Sequence, residues 1–304
     1  MTILITGSNG FVGTCLTEKL QSTGSFLKLV NRQNFEDITP QTNWLAACNN
    51  VTTIVHLAAR VHMMKDTASD PLTAYREANT FSTLNLARQA ATAGVRRFIF
   101  LSSIKVNGEG QETPYTEHDI PNPTDPYAIS KWEAEQGLKK IAAQTNMDIV
   151  ILRPPLIYGP YVKANFLKLI QIVEKGYPLP FGSITAQRSL LYVGNLTHAI
   201  QTILKYPKIL NKTFLVSDPQ TVTLPTLIRM MATELDCKNP LIHISPVLLN
   251  SLFKLLNKKN LQQRLMQSLT INSQGLENIL QWRAPYSLEQ GLRLTISSYL
   301  QSKH

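Results

Sequence analysis

Short apolar runs alternate with longer amphipathic segments through the first half of the chain. The runs TILIT, FLKLV, TTIVHLA, RFIFLS and MDIVILR have the length and composition of buried strands. The segments between them, beginning with FVGTCLTEKLQSTG, repeat apolar residues at helical spacing. Because strands that alternate with helices pack as a parallel sheet covered on both faces, the pattern predicts a doubly wound α/β fold.

Two of the helical segments, DPLTAYREANTFSTLNLARQAATAG and DPYAISKWEAEQGLKKIAAQT, begin with Asp-Pro. Asp70 and Asp125 can cap these helices, with Pro71 and Pro126 in the first turn. Gly94 is placed to end the first of the two helices.

The regular alternation ends after LRPPLIYGP. We expect a dinucleotide-binding domain over 1–160 and a smaller substrate-binding lobe over 161–304, with SLLYV and TFLVS returning to the main sheet. The segment SPVLLNSLFKLLNKKNLQQRLMQSL is amphipathic and basic, a pattern compatible with a membrane surface. Packing against the lobe is favoured, because most amphipathic helices face their own core.

Composition and charge narrow the classes of ligand. The 304 residues are 43% hydrophobic and carry a formal net charge of +10. The basic residues are spread along the chain without a nucleic-acid-binding motif, which favours a phosphate-bearing small molecule over nucleic acid. The three cysteines lack disulfide or zinc spacing, and the chain begins directly with a strand. We therefore expect a cytoplasmic protein with no metal site and no integral membrane association.

A glycine pattern lies between the first strand and the first helix, in ILITGSNGFVGTCL. Gly7 permits the tight turn, Gly10 lets backbone N–H groups approach a pyrophosphate, and Gly13 lets the helix lie close to the strand. This strand–turn–helix context predicts a dinucleotide site.

The end of the second strand bears on which dinucleotide is bound. An NAD site usually has an acidic residue there for the ribose 2′-hydroxyl, whereas this sequence reads LKLVNRQN, with Asn31 and Arg32. Because a guanidinium suits phosphate recognition, NADP(H) is favoured. NAD(H) remains the alternative, with Asn31 holding the ribose and Arg32 in solvent.

Five motifs occur in order: TGSNGFVG, HLAA, SS, YAISK and RPPLIYGP. Together they resemble the extended short-chain dehydrogenase/reductase family of nucleotide-sugar enzymes over essentially the whole chain. The resemblance implies a Rossmann-type fold and a catalytic set of Ser103, Tyr127 and Lys131. Tyr127 and Lys131 are four residues apart, so on a helix their side chains lie on the same face and can contact the same bound molecule. We expect the ammonium and an oxidised nicotinamide to lower the pKa of the Tyr127 phenol.

The residues after Ser103 bear on the reaction. The family's 4,6-dehydratases carry Asp-Glu there, whereas this chain has Ile104 and Lys105, so dehydration is disfavoured. The motif spellings are most similar to a bacterial polysaccharide-locus subgroup labelled UDP-glucose 4-epimerase-like. The favoured activity is NADPH-dependent reduction of a UDP-4-keto-6-deoxy-N-acetylhexosamine, with UDP-hexose 4-epimerisation as the alternative and a non-catalytic NADP sensor as a remote one. Asn107 and Leu156 depart from the 4-epimerase pattern, where Tyr and Asn are usual.

The resemblance also implies the remaining contacts. A UDP-sugar is the expected substrate, and a homodimer is left open. Independently of the resemblance, His56 lies in a predicted buried strand and is therefore expected to be a core residue. The residues assigned to the cofactor are Gly7, Asn9, Gly10, Phe11, Val12, Asn31, Arg32, Asp37, Ile38, Leu57, Ala58, Ala59, Asn79, Lys131 and Pro154. Those assigned to the substrate are Ser103, Lys105, Asn165, Phe166, Phe181, Arg188 and Arg264.

Overall fold

A computed structural model describes residues 1–31, 33–35, 38–61, 70–238, 240–255, 262 and 265–303. Within these residues nine strands form two sheets. The strands are β1 (Thr2–Thr6), β2 (Phe26–Val30), β3 (Thr53–His56), β4 (Arg97–Leu101), β5 (Asp148–Arg153), β6 (Leu156–Tyr158), β7 (Gln187–Tyr192), β8 (Lys212–Leu215) and β9 (Thr221–Thr223).

The α-helices of the described residues surround the sheets, with a π-helical turn at Arg76–Phe81 and a 3₁₀ turn at Ile104–Val106. They are α1 (Phe11–Gln21), α2 (Leu45–Cys48), α3 (Pro71–Tyr75), α4 (Ser82–Thr92), α5 (Pro126–Gln144), α6 (Ala164–Glu174), α7 (Val193–Lys205), α8 (Leu224–Glu234), α9 (Pro246–Leu255), α10 (Gln274–Leu280) and α11 (Leu288–Gln301).

The main sheet has six parallel strands in the order β2-β1-β3-β4-β5-β8. Buried apolar side chains cover both of its faces, for example Ile3 and Ile5 on one and Leu4 on the other. Such a sheet brings the carboxyl ends of its strands to one edge, where doubly wound folds bind ligands. The predicted α/β fold is therefore confirmed.

The smaller sheet corrects one prediction. The segment TFLVS does contribute β8 to the main sheet, whereas SLLYV lies in β7, which pairs with β6 and β9. Because β4 and β8 occupy both edges of β5, no edge of that strand is left for β7. The prediction that SLLYV returns to the main sheet is wrong.

A buried carboxylate joins the small sheet to the helix that follows it. Asp218 accepts hydrogen bonds from the Tyr158 hydroxyl at 2.9 Å, the Tyr192 N–H at 3.0 Å and the Asn195 amide at 2.7 Å. Burial raises the pKa of Asp218 from its ordinary value, and these donors act in the opposite direction. The side chain thus ties β6, β7 and α7 together.

The predicted helix ends are present. The Asp70 carboxylate accepts from the Thr73 N–H at 3.2 Å, and the Asp125 carboxylate accepts from the Ala128 N–H at 2.8 Å. Gly94 follows α4 with a φ of +79°, the left-handed region that glycine adopts without strain.

The amphipathic segment begins as α9. Leu249 is buried against the lobe, as the packing interpretation expects, whereas Val247 and Leu248 are 72% and 65% exposed. No helix in the described part of the chain is long and apolar enough to cross a bilayer.

Candidate active site

The glycine loop between β1 and α1 is tightly packed. Gly7 has a φ of +70°, and a Cβ atom there would lie 2.8 Å from the Ala58 nitrogen. At Gly13 a Cβ atom would lie 2.1 Å from the Gly7 carbonyl oxygen. The steric reasons predicted for these two glycines are confirmed. The loop leads into the N-terminus of α1, where free N–H groups can receive a pyrophosphate, so the backbone here fits a dinucleotide.

Residues around this loop line the same edge of the sheet. Asn9 is exposed at the turn, Phe11 and Val12 are half-buried in the first turn of α1, and 57–59 follow β3. The contacts of Leu57, Ala58 and Ala59 with a cofactor stay predictions. 

The segment from Leu57 to Ala59 is half-buried, and Leu57 and Ala58 lie against Gly7 of the glycine loop.

Asn31, directly after β2, stabilises its own turn. Its Oδ1 accepts from the Gln33 N–H at 2.9 Å, and its Nδ2 donates to the Ser8 hydroxyl at 3.2 Å. Ile38 is half-buried against the apolar cluster on one face of the main sheet. The predicted cofactor residues Arg32 and Asp37 lie outside the described residues.

Asn79 lies in the π-helical turn and is fully buried. Its Oδ1 accepts from the Arg60 N–H at 2.8 Å, while its Nδ2 donates to the Arg60 carbonyl at 3.0 Å and to the Ser130 hydroxyl at 3.1 Å. These bonds fix the segment after β3 against α5. The side chain predicted to contact the cofactor therefore serves the shape of the site in this structure.

The three predicted catalytic residues come from two neighbouring elements. Ser103 follows β4, and its hydroxyl accepts from the Lys105 N–H at 3.3 Å. Tyr127 and Lys131 lie in the first two turns of α5. The Lys131 ammonium donates to the Leu101 carbonyl at 2.9 Å and lies 5.9 Å from the centroid of the Tyr127 ring. The phenol, the ammonium and the carboxyl end of β4 are thus brought to one side of the sheet edge.

Burial controls the protonation of this pair. Burial raises the pKa of Tyr127 above its usual range, and the nearby charge of Asp125 adds to the effect. Burial also lowers the pKa of Lys131 to about 7, with Glu135 acting in the opposite direction. In the polypeptide by itself, the prediction of a lowered Tyr127 pKa is wrong, because desolvation and the nearby Asp125 carboxylate both raise it. The part of that prediction that concerns an oxidised nicotinamide stays a prediction.

Lys105, predicted to contact the substrate, forms ion pairs within the protein. Its ammonium pairs with the carboxylate of Asp125, the N-cap of α5, and with Glu109 at 2.8 Å. These bonds tie the 3₁₀ turn after Ser103 to the helix that carries Tyr127.

The other predicted substrate residues are distributed over the lobe. Asn165 is exposed at the start of α6, and Arg188 is partly exposed in β7. Phe181 is half-buried between two apolar clusters. Phe166 is 2% exposed and its ring stacks on Tyr158 with the ring centroids 5.3 Å apart, so its side chain belongs to the core. Its place at the start of a diphosphate-binding helix stays a prediction.

Pro154 and Arg264 are the remaining predicted positions. Pro154 is buried and its carbonyl accepts from the Ile104 N–H at 2.9 Å, so it supports the turn that follows Ser103. Arg264 lies outside the described residues.

His56 is a core residue, as expected. It is 1% exposed, and its two ring nitrogens lie 2.7 Å from the Thr6 hydroxyl and 2.9 Å from the Thr83 hydroxyl. Burial lowers its pKa to about 3, so the ring is neutral at ordinary pH.

A buried ion pair behind the site was not predicted from the sequence. Glu135 on α5 pairs with Arg153 at the end of β5, with oxygen and nitrogen 2.5 Å apart. Glu135 lies one helical turn after Lys131, on the same helix face. In the sequence, this spacing between a carboxylate and the lysine was the available signal for a buried charged group.

A parallel six-stranded sheet, a glycine loop at a helix N-terminus and a Tyr/Lys pair at the same sheet edge define a dinucleotide-binding α/β enzyme. Residues 3–216 match the family model described as the NAD dependent epimerase/dehydratase family. The chain belongs to this family, within the extended short-chain dehydrogenases/reductases, and is an enzyme of that class.

Full-length relatives agree with this assignment. The chain is 42% identical to a UDP-glucose 4-epimerase of Vibrio cholerae over 317 residues, covering 99% of this chain and 96% of the relative. It is 27% identical to the N-acetyl-alpha-D-glucosaminyl-diphospho-ditrans,octacis-undecaprenol 4-epimerase of Escherichia coli O157:H7, covering 97% and 94%. The solved structure of MoeE5 in complex with UDP-glucuronic acid and NAD has the same fold, with a TM-score of 0.81 at 21% identity, covering 99% of this chain and 100% of that one.

Proposed function

We propose that the protein transfers hydride at carbon 4 of a UDP-linked sugar, using Ser103, Tyr127 and Lys131. The observation that carries this proposal is the placement of Tyr127 and Lys131 at the sheet edge that also bears the glycine loop. When bound, the nicotinamide supplies or accepts the hydride.

Each residue has a separate task in this proposal. The Tyr127 hydroxyl exchanges a proton with the oxygen on carbon 4, and the Ser103 hydroxyl hydrogen-bonds the same oxygen. The Lys131 ammonium binds the nicotinamide ribose and stabilises negative charge on the Tyr127 oxygen. Asn165, Phe181 and Arg188 are proposed to bind the UDP group, with Arg188 pairing a phosphate.

For the reaction itself we propose NADPH-dependent reduction of a UDP-4-keto-6-deoxy-N-acetylhexosamine. Two observations support it. The raised pKa of Tyr127 keeps the phenol protonated, which is the form that donates a proton to a ketone. Asn31 and Arg32 follow β2 without an acidic residue, which suits the 2′-phosphate of NADPH.

The second candidate is reversible 4-epimerisation of a UDP-hexose. It is supported by the 42% identity to the Vibrio cholerae UDP-glucose 4-epimerase over nearly the whole of both chains. An epimerase returns the hydride that it removes, so it needs no net reductant and keeps its dinucleotide between turnovers.

One experiment tests the shared chemistry and separates the two reactions. The purified protein is assayed for NADPH oxidation with a UDP-4-keto-6-deoxy-N-acetylhexosamine made in place by a 4,6-dehydratase. In parallel, UDP-glucose/UDP-galactose and the corresponding N-acetyl pair are followed by chromatography with no cofactor added. We expect one NADPH oxidised per sugar and no interconversion. Interconversion without added cofactor would establish the epimerase, and inactivity in both assays would refute the proposal of carbon-4 chemistry.

A further inference from the structure

Lys105 joins the two segments that carry the Ser103 and Tyr127 hydroxyls. Its ammonium forms one ion pair with the carboxylate of Asp125 and a second with Glu109, at 2.8 Å. Lys105 lies two residues after Ser103, and Asp125 lies two residues before Tyr127. The ion pair with Asp125 therefore connects the two segments close to both hydroxyls.

Asp125 uses its two carboxylate oxygens for different partners. Oδ1 accepts from the Ala128 N–H at 2.8 Å, which caps α5, and Oδ2 accepts from the Lys105 ammonium. An N-cap bond stabilises the first turn of its helix. Because one carboxylate makes both bonds, a displacement of Lys105 is transmitted to the first turn of α5, where Tyr127 lies.

The other side of the ion pair is the 3₁₀ turn Ile104–Val106. The Ser103 hydroxyl accepts from the Lys105 N–H at 3.3 Å, so the residue that forms the ion pair also orients the Ser103 side chain. The Val106 carbonyl accepts from the Asn122 N–H at 3.0 Å, which holds the chain before α5 against the same turn. The main chain and the side chain of Lys105 thus act on the two segments together.

Charge explains why this connection needs a cation at position 105. The carboxylates of Asp125 and Glu109 both lie against the one ammonium of Lys105, and without it they would repel each other. The three side chains are between 22% and 27% exposed, so water screens these charges only in part. Loss of the ammonium would therefore move the turn and the helix apart.

We propose that Lys105 is a positioning residue of the active site: through Asp125 it sets the distance between the Ser103 and Tyr127 hydroxyls. The inference rests on the proposed function, in which both hydroxyls bind the oxygen on carbon 4. A displacement of about 1 Å in such an arrangement can lower the rate by about 10². Lys105 acts on turnover through Asp125, which differs from the substrate contact predicted from the sequence.

A double-mutant cycle on turnover tests this role. Lys105→Met removes the positive charge, and Asp125→Asn breaks the ion pair while an asparagine can still cap α5. We expect kcat to fall about tenfold in each single variant and no further in the double variant than in Lys105→Met. The KM for the UDP-sugar should change by less than about twofold. Lys105→Arg can form the same ion pair and should restore most of the turnover.

Arg76 and Glu133 form the matched control pair. They join α5 to the π-helical turn, with nitrogen and oxygen 2.6 Å apart, and their side chains are 38% and 32% exposed. Arg76→Met and Glu133→Gln should leave kcat near the wild-type value. Equal losses in the control variants would overturn the inference. So would independent, multiplying losses in Lys105→Met and Asp125→Asn, or a raised KM at unchanged kcat in Lys105→Met, which would indicate a substrate contact.

Amide hydrogen exchange measures the connection in the full chain without any substrate. Lys105→Met should speed exchange at the Ala128 amide, and Asp125→Asn should speed it at the Val106 amide, each by at least about threefold. Unchanged exchange on the far side of the ion pair in both variants would overturn the inference. Inactivity of the wild type in both carbon-4 assays would refute the proposed function, and the exchange rates would still decide whether Lys105 couples the two segments.

Discussion

The backbone of Gly13 lies so close to Gly7 that a Cβ atom at Gly13 would stand 2.1 Å from the Gly7 carbonyl oxygen. No side-chain movement can relieve this contact, because the atom it meets belongs to the backbone. The first turn of α1 and the loop before it therefore hold one fixed distance from each other, and the proposed pyrophosphate site depends on that distance.

Gly13→Ala is expected to reduce dinucleotide affinity more than tenfold and to lower the free energy of unfolding by about 1–3 kcal/mol, since the loop must move to make room. Fluorescence titration with NADPH and NADH measures the affinity. Gly24→Ala is the control: its Cβ would meet nothing within 4 Å, although its φ of +71° makes alanine strained. Both variants lose stability, and only Gly13→Ala should lose affinity. Equal affinities would mean that the loop does not bind the dinucleotide.

Tyr127→Phe removes the hydroxyl that is proposed to exchange the proton. We expect turnover to fall by about 10²–10⁴ while dinucleotide binding is retained. The control is Tyr75→Phe, because the Tyr75 ring packs edge-on against Tyr127 with centroids 6.1 Å apart. A comparable loss in both variants would point to packing, and near-normal turnover in Tyr127→Phe would remove the phenol from the mechanism.

Arg32→Asp tests the proposed cofactor preference. An added carboxylate repels a 2′-phosphate and can accept the ribose hydroxyl, so the ratio of NADPH to NADH affinity should fall by at least about tenfold. Arg88→Asp makes the same charge change at an exposed position on α4. The same ratio of NADPH to NADH affinity in wild type and in Arg32→Asp would show that Arg32 does not distinguish the two cofactors.

His56 should make the protein sensitive to acid. The unfolded chain binds a proton at this ring below a pH of about 6.5, whereas the folded protein does so only near pH 3. Between these values the unfolded state holds more protons, so stability falls as the pH falls, by about 1.4 kcal/mol per pH unit for one group. Urea unfolding at roughly pH 6 and pH 5 should show a shallower dependence in His56→Gln. The exposed His118→Gln should keep the wild-type slope.

The parts of the fold that sequence reasoning found depend on neighbours in the chain. The caps at Asp70 and Asp125 join residues three apart, and the glycine loop is a contiguous motif. The five N-terminal strands of the main sheet, β1 to β5, could be predicted because their apolar runs are too short to be buried helices.

What was missed depends on contacts between distant residues. Ser102 meets Glu135 across 33 positions, and Tyr158 meets Asp218 across 60. No local pattern shows which later strand pairs with β5, so the sheet to which SLLYV belongs could not be predicted from its own residues. The same holds for Tyr127, whose pKa is set by how deeply neighbouring elements bury it.

The place of β8 at the end of the main sheet has a consequence for synthesis on the ribosome. The chain forms β6 and β7 of the other sheet before it supplies Lys212–Leu215 to cover β5. A nascent chain shorter than this exposes the backbone groups of β5, and an exposed strand edge is a template for pairing with other chains. Production of a shortened chain that stops after β5 should therefore yield aggregates, whereas co-expression of the missing segment should restore solubility.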